Sequence, residues 1–163
     1  NRVMLYKTAK YSIEAPLVIG AALGGATPEQ LESLRAIGLP LGIAFQLRDD
    51  LLGVFGDPAV TGKPAGDDLR EGKRTVLIAL AQQELPATAI RLMDELLGDS
   101  DLDESQISML QATLTNTGAV DKLEEVIEQQ VVLAQKAIAS AGFSELATQG
   151  LTQLAALVSQ RAS

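Results

Sequence analysis

An all-α helical bundle is the fold this sequence predicts, and three observations carry the prediction. Ala, Leu and Gln outweigh Val, Ile and Tyr, and aromatics make up only 3% of the 163 residues. That balance favours helix over sheet. Apolar residues recur at helical spacing, as in Leu123, Val126, Ile127, Val131, Ala134 and Ile138. No window sustains the period-two alternation of a half-buried strand, and no internal repeat is visible. The length suffices for one compact domain with a core of its own.

Taken in order, Asn1 to Tyr11 reads as a helix, with Lys7 and Tyr11 four apart on one face. From spacing alone, Lys7 reads as a solvated surface charge. Ser12 to Gly25 is apolar on nearly all sides, which predicts a buried helix. Its Gly20 and Gly24 have the spacing of a close helix-to-helix approach within a core, and Gly24-Gly25 ends the helix. Thr27-Pro28-Glu29-Gln30 is a start signal, with Thr27 as N-cap, Pro28 at the first helical position and Gln30 closing a capping box. A long helix then runs to Gly53, with Pro40 a candidate kink. Gly53 to Gly72 reads as a loop. Helices are expected from near Lys73, from Pro86 to Leu97, and over Asp103–Thr117, Val120–Ser140 and Ser144–Ser159. The tract from Asp99 has a D-x-D-x-D start. Glu104 stands where a calcium loop needs glycine and Leu110 where it needs glutamate, so it reads as a capped, solvated connection.

Composition narrows the chemistry. With no cysteine and no histidine, disulfides, thiolate nucleophiles, imidazole bases and most zinc sites are excluded from this chain. Any metal must be oxygen-bound, which points to Mg²⁺, Mn²⁺ or Ca²⁺. A net charge of −8 makes the surface a poor partner for nucleic acid and suits a cytoplasmic protein. The longest apolar run, Ala15 to Ala26, is too short to span a bilayer, and no signal peptide is visible. The chain starts at Asn1 within a helical pattern and reads as a fragment.

The densest chemistry lies in Phe45–Thr75, which holds six acidic residues. On a helix, Gln46, Asp49, Asp50 and Gly53 fall at i, i+3, i+4 and i+7, one stripe of one face. Phe45, Leu47, Leu51 and Leu52 then serve the core. Adjacent carboxylates ending an apolar helix oppose its dipole and are costly to bury unless they meet a cation. On these grounds a metal site and a solvent-facing Asp pair both remain open. Lys63 and Lys73 each follow a glycine, but Gly56–Gly62 and Gly66–Gly72 have one residue too many for a nucleotide-binding P-loop, and Pro64 follows Lys63. The lysines can still act as point-charge phosphate binders.

Together, KTAKY at 7–11, FQLRDD at 45–50, GD at 56–57, GK at 62–63 and D-x-x-x-GK-R-T at 68–75 resemble the trans-isoprenyl diphosphate synthases (the polyprenyl synthetase family), closest in look to bacterial geranylgeranyl-type members. The order and spacing of FQ-x-x-DD, GD and GK are specific, and the resemblance extends over residues 1–163 as the C-terminal part of a single domain of the isoprenoid synthase type. It implies a prenyltransferase that condenses an allylic diphosphate with isopentenyl diphosphate into a longer all-trans product, as a homodimer. It implies that Asp49 holds Mg²⁺ (Mn²⁺ being possible), with Asp50 beside it and Asp67 near the metal's waters. Lys7, Lys63 and Lys73 would meet the diphosphate, Thr8 and Gln46 would face the developing allylic cation, and Tyr11 would line the pocket.

Two departures stand out. The family's second acidic motif is commonly DD-x-x-D, whereas Gly53 occupies its fifth place and Asp57 lies a further turn on. The family's first acidic motif and its isopentenyl diphosphate ligands are upstream of this sequence, so this fragment alone is expected to be inactive. A non-catalytic subunit of a heteromeric synthase and a class I terpene synthase are the alternative readings; an upstream DD-x-x-D and a requirement for isopentenyl diphosphate discriminate them.

Overall fold

The computed structural model describes the backbone of residues 5–159 and the side chains of residues 10–59 and 62–158. Among the described residues every regular element is helical and no strand occurs. A π-helical run over Leu5–Glu14 leads into α1 (Ala15–Leu23). Then follow α2 (Pro28–Phe55), the one-turn α3 (Pro58–Thr61) and α4 (Asp67–Arg70), α5 (Val76–Glu84), α6 (Ala87–Leu96), α7 (Glu104–Asn116), α8 (Ala119–Ser140) and α9 (Glu145–Ser159). The residues cluster into two compact units. One comprises the chain up to Arg48 together with Val126 onward, the other Asp49–Glu125.

The start signal read from sequence at Thr27–Gln30 is made as expected. Thr27 N donates to Gln30 Oε1 at 2.9 Å, and Gln30 N donates to Thr27 Oγ1 at 3.3 Å, a reciprocal capping box ahead of Pro28. Asp103 and Gln106 make the same arrangement for α7, at 2.9 and 2.8 Å. The acidic tract before α7 is therefore a capped connection, with Asp101 N also bonded to Asp99 Oδ1 at 2.9 Å.

Several boundaries differ from expectation. The first helix does not break at Ser12. It widens to π geometry through Glu14, just before Pro16 enters α1. Pro16 has no N–H for an α-type bond to the carbonyl four residues back, and its ring clashes with that carbonyl. Wider turns relieve both. Helix α2 continues through Pro40 and does not stop at Gly53; it ends at Phe55. The stretch 53–72 is not a plain loop, because it contains α3 and α4. The helix expected near Lys73 begins at Val76, with Thr75 Oγ1 accepting from Ile78 N, which leaves Lys73 outside it.

The largest departure is α1. Its nine residues are strongly apolar, yet none is buried, and Ile19 and Leu23 are 59% and 86% exposed. Gly20 meets nothing within 4 Å and Gly24 meets only its own helix, so the expected close approach is not made there. It occurs instead at Gly38 of α2, where a Cβ would lie 2.8 Å from Glu14 Cα. In the first unit the core is Ile37, Leu41, Ala134, Ile138 and Ala155. In the second, α5 packs against α7 and buries Leu77, Ile78, Ile107, Leu110 and Leu114.

Candidate functional site: an acidic helix face and two clasped lysines

Helix α2 presents the stripe read from sequence, but it treats the two aspartates differently. Asp49 is exposed, whereas Asp50 is buried at 7% exposure. Leu47 and Leu51 are buried beside them, with Phe45 and Leu52 half-buried. Gln46 lies half-buried one turn earlier. Asp57 is committed elsewhere: its Oδ1 accepts from Ala59 N at 2.8 Å and caps α3. It therefore does not substitute for an acid at position 53.

The element between the glycines supplies the rest. Helix α4 is only Asp67-Asp68-Leu69-Arg70, too short to be stable by propensity. Tertiary contacts hold it. Leu69 is 1% exposed. The Arg70 guanidinium donates to the carbonyls of Ala65 at 3.1 Å and Leu102 at 3.3 Å. Gly98 N donates to Leu69 O at 2.9 Å. The backbones of Gly72 and Gly98 cross so closely that a Cβ on Gly72, at φ +67°, would come within 2.9 Å of Gly98 Cα. Only glycine fits there without strain.

This scaffold sets two lysines among acids. Lys63 Nζ lies 3.4 Å from Asp67 Oδ2. Lys73 Nζ lies 2.5 Å from Asp68 Oδ1 and 2.8 Å from Glu71 Oε2. The hydrogen bond to Asp68, then that to Glu71, holds the Lys73 ammonium well above the ordinary lysine pKa. Lys73 is therefore cationic at neutral pH. Asp68 is 5% exposed, whereas the Lys73 side chain that pairs with it is 43% exposed. Carboxylate oxygens of Asp67, Asp68 and Glu71 lie within 4.8 Å of one another, one from each residue, an all-oxygen set of the kind that suits a hard divalent cation.

Asp67, Lys63 and Lys73 thus lie in two ion-paired groups, Lys63 with Asp67 and Lys73 with Asp68 and Glu71, whose carboxylates come within 4.8 Å of one another. Sequence reasoning gave Asp68 and Glu71 no role in the site, although Asp68 opens the D-x-x-x-GK-R-T motif. The signal for Asp68 was the doubled aspartate at 67–68, but which of the two turns inward is decided by contacts from α2 and Lys73. Lys7 and Thr8 fall on the π-helical run, and their side chains lie outside the described residues. Tyr11 is 76% exposed.

A model of the polyprenyl synthetase family matches residues 1–114. A geranylfarnesyl diphosphate synthase of Aeropyrum pernix is 40% identical over 112 residues, covering 69% of this chain and 34% of that protein. Among solved structures, a geranylgeranyl pyrophosphate synthase of Corynebacterium glutamicum, complexed with isoprenyl diphosphate and magnesium, superposes with a TM-score of 0.93 at 40% identity. That match covers 98% of this chain and 45% of that one. A polyprenyl synthase of Caulobacter crescentus, complexed with calcium and isoprenyl diphosphate, gives a TM-score of 0.84 at 31% identity, over 98% of this chain and 48% of that one. The chain spans about half the length of these solved structures and about a third of the curated relative.

Proposed function

This chain belongs to the polyprenyl synthetase family, and from that premise we propose that it contributes one wall of the active site of a prenyltransferase. The reaction joins an allylic diphosphate to isopentenyl diphosphate. The allylic C–O bond breaks with diphosphate leaving, a C–C bond forms to isopentenyl diphosphate, and a proton is lost to regenerate the alkene. The observation that carries the reading is Lys73, held by Asp68 and Glu71, whose carboxylates lie within 4.8 Å of that of Asp67, itself paired with Lys63. A leaving diphosphate is stabilised by fixed cations and metal, and that is the chemistry these side chains offer.

Magnesium fits the oxygen-only donors; Asp49, Asp50 and Asp67 would hold it, and it would neutralise diphosphate charge. The chain's own residues do the remainder. Lys63 and Lys73 meet the diphosphate as point charges, with Lys7 a third, and their acidic partners keep them ordered before substrate arrives. Gln46 and Thr8 present oxygens toward positive charge developing on the allylic carbon, and Tyr11 lines the same pocket. This chain has no imidazole to accept the proton, and the departing diphosphate serves as the base. The protein works as a homodimer in the cytoplasm. Among the described residues no helix is long and apolar enough to cross a membrane.

Asp49→Ala in the intact protein is the test. Loss of one preorganised electrostatic partner costs on the order of 10²–10³ in turnover. A drop of that size in Mg²⁺-dependent condensation supports the reading; unaltered turnover with isopentenyl diphosphate sinks it.

A further inference from the structure

Position 53 departs from the DD-x-x-D pattern, and the structure supplies a reason that differs from loss of function. A Cβ built on Gly53 would lie 2.2 Å from Asp68 Oδ2, 2.3 Å from Asp68 Cγ and 2.8 Å from Asp68 Oδ1. All three are below any real Cβ contact, so a side chain at 53 must push the carboxylate away. Asp68 has little room to yield. It is 5% exposed, its neighbour Leu69 is 1% exposed, and the Gly72–Gly98 crossing and the Arg70 contacts pin α4 on both sides. Asp68 also grips Lys73 twice. Its Oδ1 accepts from Nζ at 2.5 Å, and its backbone oxygen accepts from Lys73 N at 3.0 Å.

We propose that Gly53 is a positioning residue: the empty volume beside it seats the Asp68 carboxylate against α2, and through Asp68 it orients the Lys73 ammonium. The Asp68 carboxylate of α4 occupies the volume that a Cβ at position 53 would need. Gly53 is thus a space kept open for an acid from another element, one turn from Asp49 and Asp50 on the helix. A side chain at 53 would displace the Asp68 carboxylate and disturb its bond to Lys73. The role of that ammonium toward a diphosphate rests on the function proposed above; its placement does not.

The test separates the two. The lysines of the intact protein, wild type, Gly53→Ala and Asp68→Ala, are labelled with trace acetic anhydride and read by mass spectrometry, with exposed Lys136 as internal reference. Loss of a fixed ion pair frees the amine by about fivefold, so both variants are expected to raise the Lys73-to-Lys136 ratio by about that factor. An unchanged ratio in folded Gly53→Ala overturns the proposal. If Gly53→Ala does not fold, the double variant Gly53→Ala/Asp68→Ala removes the clashing atoms. Recovery of a cooperative melt supports the proposal, and failure to recover overturns it. Calorimetry with inorganic pyrophosphate and Mg²⁺ then addresses function. If Gly53→Ala and Lys73→Ala each weaken binding about tenfold and the double variant is no worse, Gly53 acts through Lys73. Additive losses contradict that route. A raised labelling ratio with unaltered pyrophosphate affinity in Lys73→Ala keeps the positioning and refutes the diphosphate role alone.

Discussion

Helix α1 and helix α4 invert the usual relation between composition and burial. The nine residues of α1 are almost wholly apolar, and none is buried. Leu17 and Ala21 line an open apolar groove of about 490 Å³ with Leu34, Phe143, Leu151 and Leu154. The four residues of α4 include three charges, and two of the four, Asp68 and Leu69, are buried. What differs is the supply of partners. An aspartate can be buried when a cation and a shaped volume wait for it, and here Lys73 and Gly53 provide both. An apolar helix is buried only as far as other elements cover it, and hydropathy alone says nothing of whether they do.

Perturbations should break this contrast in graded fashion. Gly53→Asp comes first, since it buries a second, unpaired carboxylate against Asp68. It is expected to cost about 3 kcal/mol or more in urea unfolding, and a variant within about 1 kcal/mol of wild type would mean the carboxylates coexist. Asp68→Ala comes next. Lys73 stays partly solvated, its side chain 43% exposed, so solvent screening discounts the pair and the loss is about 1–2 kcal/mol. Its pH dependence has a definite sign. A raised lysine pKa contributes stability that is fully present below the ordinary lysine value and is lost only as pH rises through the raised one. Between roughly pH 6 and 9 the Lys73 contribution to that difference should therefore be flat.

On α1 the same style of change should do little. Ile19→Ser and Leu23→Ser are expected to shift the unfolding free energy of this chain by less than about 0.5 kcal/mol, as for surface positions. A core-sized loss of about 2–5 kcal/mol would show the face to be covered in solution. The smallest effect is electrostatic. Glu84 is held below the ordinary carboxylate pKa by its hydrogen bond from Lys122, at 2.6 Å. Its contribution is present above the ordinary carboxylate value and is lost as pH falls through the lowered one. Lys122→Ala should return the Glu84 titration, followed by carboxyl NMR, toward 4.5.

These contrasts also mark what was legible in the sequence. The helical series was legible because its signals are local: the 3.6-residue period over Leu123–Ile138, and the box Thr27–Gln30, complete within four residues. The Gln46–Asp49–Asp50 stripe was legible for the same reason. Gly53 was misread as a stop because its meaning lies in Asp68, fifteen places on, which occupies the volume of the missing side chain. Asp68 was overlooked beside Asp67 because only Lys73 and α2 distinguish them. The exposure of α1 was illegible in principle, since an apolar run states what a helix would gain by burial and not whether a neighbour is present.

In the function proposed, the side chains around Asp68 and Lys73 serve a diphosphate with its metal. Titration calorimetry of inorganic pyrophosphate into the protein, with Mg²⁺ and with chelator, on wild type and Lys73→Ala, tests it most directly. Binding is expected to require Mg²⁺ and to weaken by about tenfold, or roughly 1.4 kcal/mol, in Lys73→Ala. Equal affinity in the two proteins, or binding indifferent to Mg²⁺, would contradict it.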